Sequence, residues 1–181
     1  MKILKLYAKE EDRFRMYGSD SFLMRKIKEG YDCDEVVLPP ECTEAECADI
    51  IRKYDVLLTM WKSPRVPDEL ADNPGKLKYI CNITGEMSRW ISRKIVESPY
   101  LTITNWGDAP AFGIAEGAFS LLMAVMKNVP SYLQAARQNP EAENITPLPT
   151  QTSLYGKRIG IYGIGRIGRK FIEFLKPFET V

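Results

Sequence analysis

The sequence predicts an α/β fold in which a doubly wound parallel sheet is followed by a long helix and the first βα unit of a second sheet. Three observations predict it. Before residue 105, five short apolar runs alternate with helical patterns, the order expected of parallel strands joined by crossover helices. Ile114 to Lys127 is then apolar on nearly every side, through Ala115, Ala118, Phe119, Leu121, Leu122, Met123, Val125 and Met126. Lastly, a glycine-rich turn, Gly163-Ile164-Gly165-Arg166-Ile167-Gly168, joins an apolar run to a final helical pattern.

The five runs are Ile3 to Ala8, Glu35 to Leu38, Val56 to Thr59, Leu77 to Ile83 and Leu101 to Thr104. Between the second and third, Thr43-Glu44-Ala45-Glu46 has the form of a capping box, Thr43 accepting from the helix N-terminus and Glu46 reaching back. Ala48, Ile51 and Tyr54 follow at helical spacing. Pro67-Asp68-Glu69-Leu70 opens a short helix that Asn73-Pro74-Gly75 ends. Together these units predict a small domain of the flavodoxin-like kind.

After Asn105, Gly107, Pro110 and Gly113 mark a connection into the long helix, which is expected to be buried between layers or subunits. A second helical piece covers Ser131 to Arg137, and a proline-bearing loop is expected from Asn139 to Ser153. Lys157 to Tyr162 then reads as a short buried strand and Arg166 to Phe174 as a helix. A GxGxxG motif at such a strand-to-helix turn is a dinucleotide-binding fingerprint. In it Gly163 permits the tight turn, Gly165 lets backbone approach a pyrophosphate, and Gly168 lets helix pack on strand. The helix N-terminus presents unpaired N–H groups to the phosphates.

Composition narrows the function classes. With 25 basic and 24 acidic side chains and a formal charge of +1, no broad field draws the chain to nucleic acid or an anionic membrane. No apolar run approaches the ~20 residues that span a bilayer, and the charged start, MKILKLYAKEEDR, does not read as a signal peptide. A cytoplasmic protein is therefore expected. Cys33, Cys42, Cys47 and Cys81 form no CxxC pair, and no histidine is present to complete a mixed zinc site, so reduced thiols and no metal are expected. The absence of histidine also removes the commonest general acid or base at neutral pH.

The order of these features resembles the family of D-isomer-specific 2-hydroxyacid dehydrogenases. Four stretches carry the resemblance: Leu57 to Pro64 with Pro67 to Leu70; Leu77 to Ile80 leading to Thr84-Gly85; Thr102 to Asn105 followed by Ile114-Ala115-Glu116; and Leu154 to Arg169. The resemblance implies that residues 1–105 are the N-terminal part of a flavodoxin-like substrate domain. Residues 106–181 would hold the crossover helix and an incomplete NAD(P)-binding Rossmann domain. It implies NAD or NADP as cofactor, a 2-keto or 2-hydroxy acid as substrate, and a homodimer formed through the crossover helix.

By the same resemblance, Gly165, Arg166, Ile167 and Gly168, with Gly163, meet the cofactor pyrophosphate. Gly85 and Glu86 lie in the loop that offers backbone N–H groups to the substrate carboxylate. The loop departs from the commoner pattern, which has a second glycine after the first, and Glu86 repels an anion unless it points away. The alternative for Gly85 is a plain strand-ending turn glycine. Glu116, at the start of the crossover helix, reads as a carboxylate offsetting the helix dipole. Trp61, Trp90 and Trp106 read as packing or cleft walls, and Arg166, Arg169, Lys170 and Lys176 as a basic face that steers phosphate.

The acidic residue that binds the adenosine ribose is expected ~20 residues past the fingerprint, beyond Val181. The family's catalytic arginine, glutamate and histidine are expected further on still, so no catalytic residue is assigned here. Three expectations follow. The 181-residue chain is inactive, its last segment is poorly packed or pairs with a second chain, and the sequence is a piece of a longer enzyme. The alternative is a non-catalytic, dimerising or regulatory paralogue of the corepressor kind.

Overall fold

A computed structural model of the protein describes residues 1–14, 18–138, 140–141 and 150–181. The chain divides into two compact units, Met1–Gly107 and Asp108–Val181.

The first unit is built on five parallel strands, β1 (Lys2–Tyr7), β2 (Asp32–Val37), β3 (Val56–Thr59), β4 (Tyr79–Asn82) and β5 (Thr102–Thr104). Their order is β2-β1-β3-β4-β5, the doubly wound arrangement that the alternating runs predict. One sheet face carries Leu4, Leu6, Leu57 and Ile80 into the main core with Ile51, Leu70, Leu77 and Ile95. The other carries Ile3, Val56 and Leu58 against Met24. This strict alternation is the period-2 signature of strands. Met24 belongs to α1 (Phe22–Gly30), capped by Ser21, a helix that the apolar pattern alone does not announce.

Helix α2 (Glu44–Ile51) starts at the expected capping box. The Glu46 amide donates to Thr43 Oγ1 at 3.3 Å, and the Thr43 amide donates to Glu46 Oε2 at 2.9 Å. Such a cap contributes about 1 kcal/mol and points Cys47, Ala48 and Ile51 at the sheet. Asp68–Ala71 forms one turn of 3-10 helix, and Gly75 leaves it with φ +64. Helix α3 (Arg93–Val96) precedes β5.

One charged group is wholly buried on the second sheet face. Lys5 has no exposed surface, with its ammonium 5.3 Å from the Tyr7 ring centroid. Burial pushes its pKa down to about 8, against the pull of Glu35. Burial also pushes the Glu35 carboxyl up, but hydrogen bonds from Lys28, Tyr7 and Ser19 outweigh it and hold the group below the usual carboxylate range. Tyr7 Oη and Ser19 Oγ donate to the same carboxylate oxygen at 2.6 and 2.9 Å.

The second unit holds α4 (Ala111–Met126), α5 (Val129–Gln138) and α6 (Arg166–Leu175). Helix α4 begins earlier than the sequence suggests, so Gly113 lies inside it. Glu116 falls in its second turn, out of reach of the N-terminal dipole end. Helix α6 packs on α4 through Phe174, 5.2 Å from Phe112 and 5.7 Å from Phe119. Phe178 extends the contact, and Leu175 is buried.

One expectation is corrected here: the final helix is not left loose, because its aromatic face finds α4. Of α4 itself only Ala111 and Ala115 are buried within the chain, while Leu121 is 70% and Val125 73% exposed, so the chain's own layers do not cover it and its expected burial falls to a second subunit.

The expected strand from Lys157 to Tyr162 lies in no sheet. Its backbone pairs with Val181, which accepts from Ile159 at 3.0 Å and donates to Lys157 at 3.0 Å, while the Lys157 amide donates to the Leu154 carbonyl at 3.2 Å. A strand reads as buried in sequence because neighbours would flank it; with none beside it, Tyr162 is fully exposed. The expected loop from Asn139 to Ser153 lies largely outside the described residues. No single helix among the described residues is long and apolar enough to cross a membrane.

Candidate functional site

In a doubly wound sheet, ligands sit at the carboxyl ends of the strands. At the ends of β3 and β4 the first unit carries a buried polar hub. Asn82, 1% exposed, accepts from Thr59 Oγ1 at 3.0 Å and Trp90 Nε1 at 3.2 Å. Its amide donates to the Thr84 carbonyl at 2.7 Å. Every polar group in the hub is thereby partnered, which a buried group requires. The hub also locks the two residues before Gly85. Asn82 escapes sequence reading, the available signal being an asparagine and a threonine inside an apolar run.

Gly85 is fixed from the other side as well. Asn105 Nδ2 donates to its carbonyl at 2.9 Å. A Cβ on Gly85 would stand 2.3 Å from Trp106 Nε1, so the close approach of this indole demands glycine. Trp106 in turn meets Trp61 edge to face at 5.4 Å. Of the three tryptophans, Trp90 is core, Trp61 is a pocket wall and Trp106 covers Gly85. Glu86 turns back on its own loop, accepting from the Ser88 amide at 2.5 Å. Hydrogen bonds from Ser88, helped by nearby Arg89, hold its carboxyl below the usual range.

A pocket of about 460 Å³ opens here, lined by Trp61, Lys62, Ser63, Glu86, Arg89 and Trp90. Lys62 and Arg89 are not singled out by sequence reading, since lone basic residues carry no motif.

The second unit presents the glycine-rich turn. Gly163 has φ +97, a backbone that side chains rarely adopt. A Cβ on Gly168 would lie 2.3 Å from the Gly163 carbonyl oxygen, so the turn and the first turn of α6 are in direct contact. Gly165 is the N-cap of α6 and supplies no side-chain cap; a Cβ on it would meet nothing within 4 Å. No side chain therefore caps the first helical turn, where the dipole favours an anion.

Beside the turn lies a pocket of about 510 Å³ lined by Asp108, Phe112, Gly165, Arg166, Arg169 and Lys170, among others. Arg166 donates to Asp108 at 2.6 Å, both side chains exposed, and Lys170 pairs with Glu173 at 3.1 Å. Ile167 is exposed. This geometry fits a pyrophosphate: room, backbone donors and cations converge where the fingerprint puts them. Gly163, Gly165, Arg166, Ile167 and Gly168 are thus brought together in one turn, and Gly85 and Glu86 in one loop of the other unit.

Comparison with known proteins agrees. Residues 119–180 match the model of the D-isomer specific 2-hydroxyacid dehydrogenase NAD binding domain. The D-3-phosphoglycerate dehydrogenase of Methanocaldococcus jannaschii is 27% identical over 147 residues, covering 80% of this chain and 26% of that protein. The glyoxylate reductase of Pyrococcus horikoshii is 28% identical over 133 residues, covering 71% of this chain and 39% of that protein. The chain thus spans well under half the length of these curated relatives. In fold, it matches a 2-hydroxyacid dehydrogenase from Ketogulonicigenium vulgare with a TM-score of 0.70 at 17% identity, over 99% of this chain and 52% of that one. The chain is thus similar to the D-isomer-specific 2-hydroxyacid dehydrogenases, whose NAD binding domain model matches residues 119–180 and whose fold it shares.

Proposed function

We propose that this chain supplies the substrate unit and the cofactor turn of a cytoplasmic NAD(P)-dependent oxidoreductase acting on a 2-keto or 2-hydroxy acid. The observation that carries the proposal is the turn from Gly163 to Gly168, which no side chain caps and which borders a pocket lined by Arg166, Arg169 and Lys170 with Asp108 and Glu173. A bound nicotinamide cofactor supplies or accepts the hydride.

The work of this chain's own residues is binding and orientation. Backbone N–H groups from Gly165 to Gly168 receive the pyrophosphate, and Arg166 adds a charge-assisted contact once it leaves Asp108. The loop at Gly85 presents its backbone to the substrate carboxylate, rigid because Asn82, Asn105 and Trp106 hold it. Glu86 does not oppose the anion, since Ser88 ties its carboxylate back into the loop.

Reduction of a ketone also needs a proton for the developing alkoxide and a cation for the carboxylate. With no histidine, the 181-residue chain lacks the usual proton donor. The purified chain is therefore expected to show no oxidation of NADH above background with glyoxylate or hydroxypyruvate. Turnover that survives repurification would overthrow this.

A second, compatible element concerns assembly. Leu121 and Val125 stand exposed on α4, an apolar stripe of the kind that marks a protein interface. We infer a homodimer through this helix, whether the chain acts as part of an enzyme or as a non-catalytic paralogue. Sedimentation should give a dimer that Leu121→Lys converts to monomer; a monomeric wild-type chain at high concentration would exclude it.

A further inference from the structure

The pocket beside the glycine-rich turn carries acids of its own as well as cations. Its cations are Arg166, Arg169 and Lys170, and its acids are Asp108 and Glu173. Glu173 stays on its own helix and holds Lys170 at 3.1 Å. Asp108 reaches across from the other helix, its Oδ1 lying 2.6 Å from Nε of Arg166, the first residue of α6. Arg169 pairs with no acid among the described residues.

A nearby helix end offers Asp108 an ordinary structural role, which its side chain does not take. It stands three residues before α4, whose N-cap, Pro110, supplies no side-chain cap. The Asp108 backbone carbonyl accepts from the Ala111 amide at 2.9 Å, while the carboxylate is turned to Arg166. Phe112, in the first turn of α4, meets Phe174 of α6 edge to face at 5.2 Å. The packing that joins the two helices thus also brings Asp108 to Arg166.

We propose that Asp108 is a built-in competitor of the cofactor pyrophosphate: its carboxylate takes the place of a phosphate oxygen on Arg166, and binding of a dinucleotide exchanges one anion for the other. The proposal rests on the reading of Gly163 to Gly168 as the pyrophosphate turn. Arg166 then adds little net affinity, because its charge-assisted bond to phosphate replaces one of the same kind to a carboxylate. The displaced carboxylate also stays beside the phosphates and repels them. Together these effects weaken binding about fivefold, the worth of one unit charge at contact distance in water. Both side chains are exposed, so salt screens the effect.

The test titrates inorganic pyrophosphate at low salt onto the isotope-labelled 181-residue chain, following the backbone amides of Gly165 to Gly168. Asp108→Asn is expected to bind about fivefold more tightly than wild type, a gain that shrinks as salt is raised. Its thermal midpoint should barely move, since an exposed ion pair contributes little to folding. Arg166→Gln should weaken binding about threefold more in Asp108→Asn than in wild type, a coupling that a merely structural role of Asp108 does not produce. Equal affinity of wild type and Asp108→Asn, or strictly additive effects of the two substitutions, overturns the proposal and leaves the turn reading standing. If pyrophosphate shifts these amides in neither chain, the turn reading falls and the proposal with it.

Discussion

Replacing Asn82 by leucine is expected to lower the unfolding free energy by about 3–5 kcal/mol, from three buried groups each costing ~1–3 kcal/mol, less the gain in apolar volume. Leucine matches asparagine in branching, so the cavity term is small and the polar accounting dominates. The groups left without their partner are the Thr59 hydroxyl, the Trp90 indole N–H and the Thr84 carbonyl, and the Thr84 hydroxyl loses a longer bond of 3.4 Å. All three residues are at most 5% exposed, so water does not replace what is lost. The change also frees the floor of the pocket and the loop before Gly85, which should appear as a shift in tryptophan emission before global unfolding. Urea melts of the two chains provide the measurement. A loss below about 1 kcal/mol, the net worth of one ordinary hydrogen bond, would mean that the hub is not satisfied as described.

Lys5→Met is expected to stabilise the chain at pH 7 by on the order of 2–3 kcal/mol, a lysine shifted from 10.5 to about 8 costing ~1.4 kcal/mol per pKa unit. The sign follows from the folded-state value lying below the unfolded one. Under pH 8 the side chain is charged in both states, so the folded state bears the whole cost of burying the ammonium. Between about 8 and 10.5 the folded state carries neutral Lys5 while the unfolded state still holds its proton, and the penalty fades as pH rises.

The groups that face Lys5 from the packed elements are Glu35 and Cys33 on β2 and Lys28 on α1, with Tyr7 beside it on β1. Burial raises the Cys33 thiol and the Tyr7 phenol, and these favour the folded state less as pH rises through their unfolded values. Comparing Lys5→Met with wild type cancels them. The stability difference between the two chains should therefore shrink from pH 7 to pH 10. A difference that stays constant over that range would show that Lys5 is not buried as an ammonium.

Much of this architecture was legible where one residue decides one local geometry. The β3 boundaries and the capping box of Thr43 and Glu46 follow from short-range rules, and so does the glycine at 163, whose φ of +97 the motif demands. The sheet order followed from five apolar runs separated by helical ones. What escaped depends on partners distant in sequence. Asn82 is a hub only because Thr59 and Trp90 converge on it, and Lys62 and Arg89 come together only in the pocket that both line. Lys5 lies in a strand whose apolar alternation gives no reason to bury a charge there.

The two errors in the second unit share a cause. Hydrophobicity reports that a surface is better covered, not what covers it. The run from Lys157 to Tyr162 was read as buried and is bare, while Phe174 and Phe178, expected to be loose, found Phe112 and Phe119. Both outcomes obey the same rule that apolar surface goes to the nearest available apolar partner.

The turn from Gly163 to Gly168 is proposed as a dinucleotide phosphate site held in working geometry. Titrating the isotope-labelled chain with NADH while following backbone amides tests this most directly. Fast-exchange shifts are expected at Gly165, Arg166, Ile167 and Gly168, weakened by Gly168→Val, with a dissociation constant no tighter than about 1 mM, as for phosphate contacts alone. Shifts centred on any other part of the chain, or shifts at the turn that Gly168→Val leaves unchanged, would contradict it.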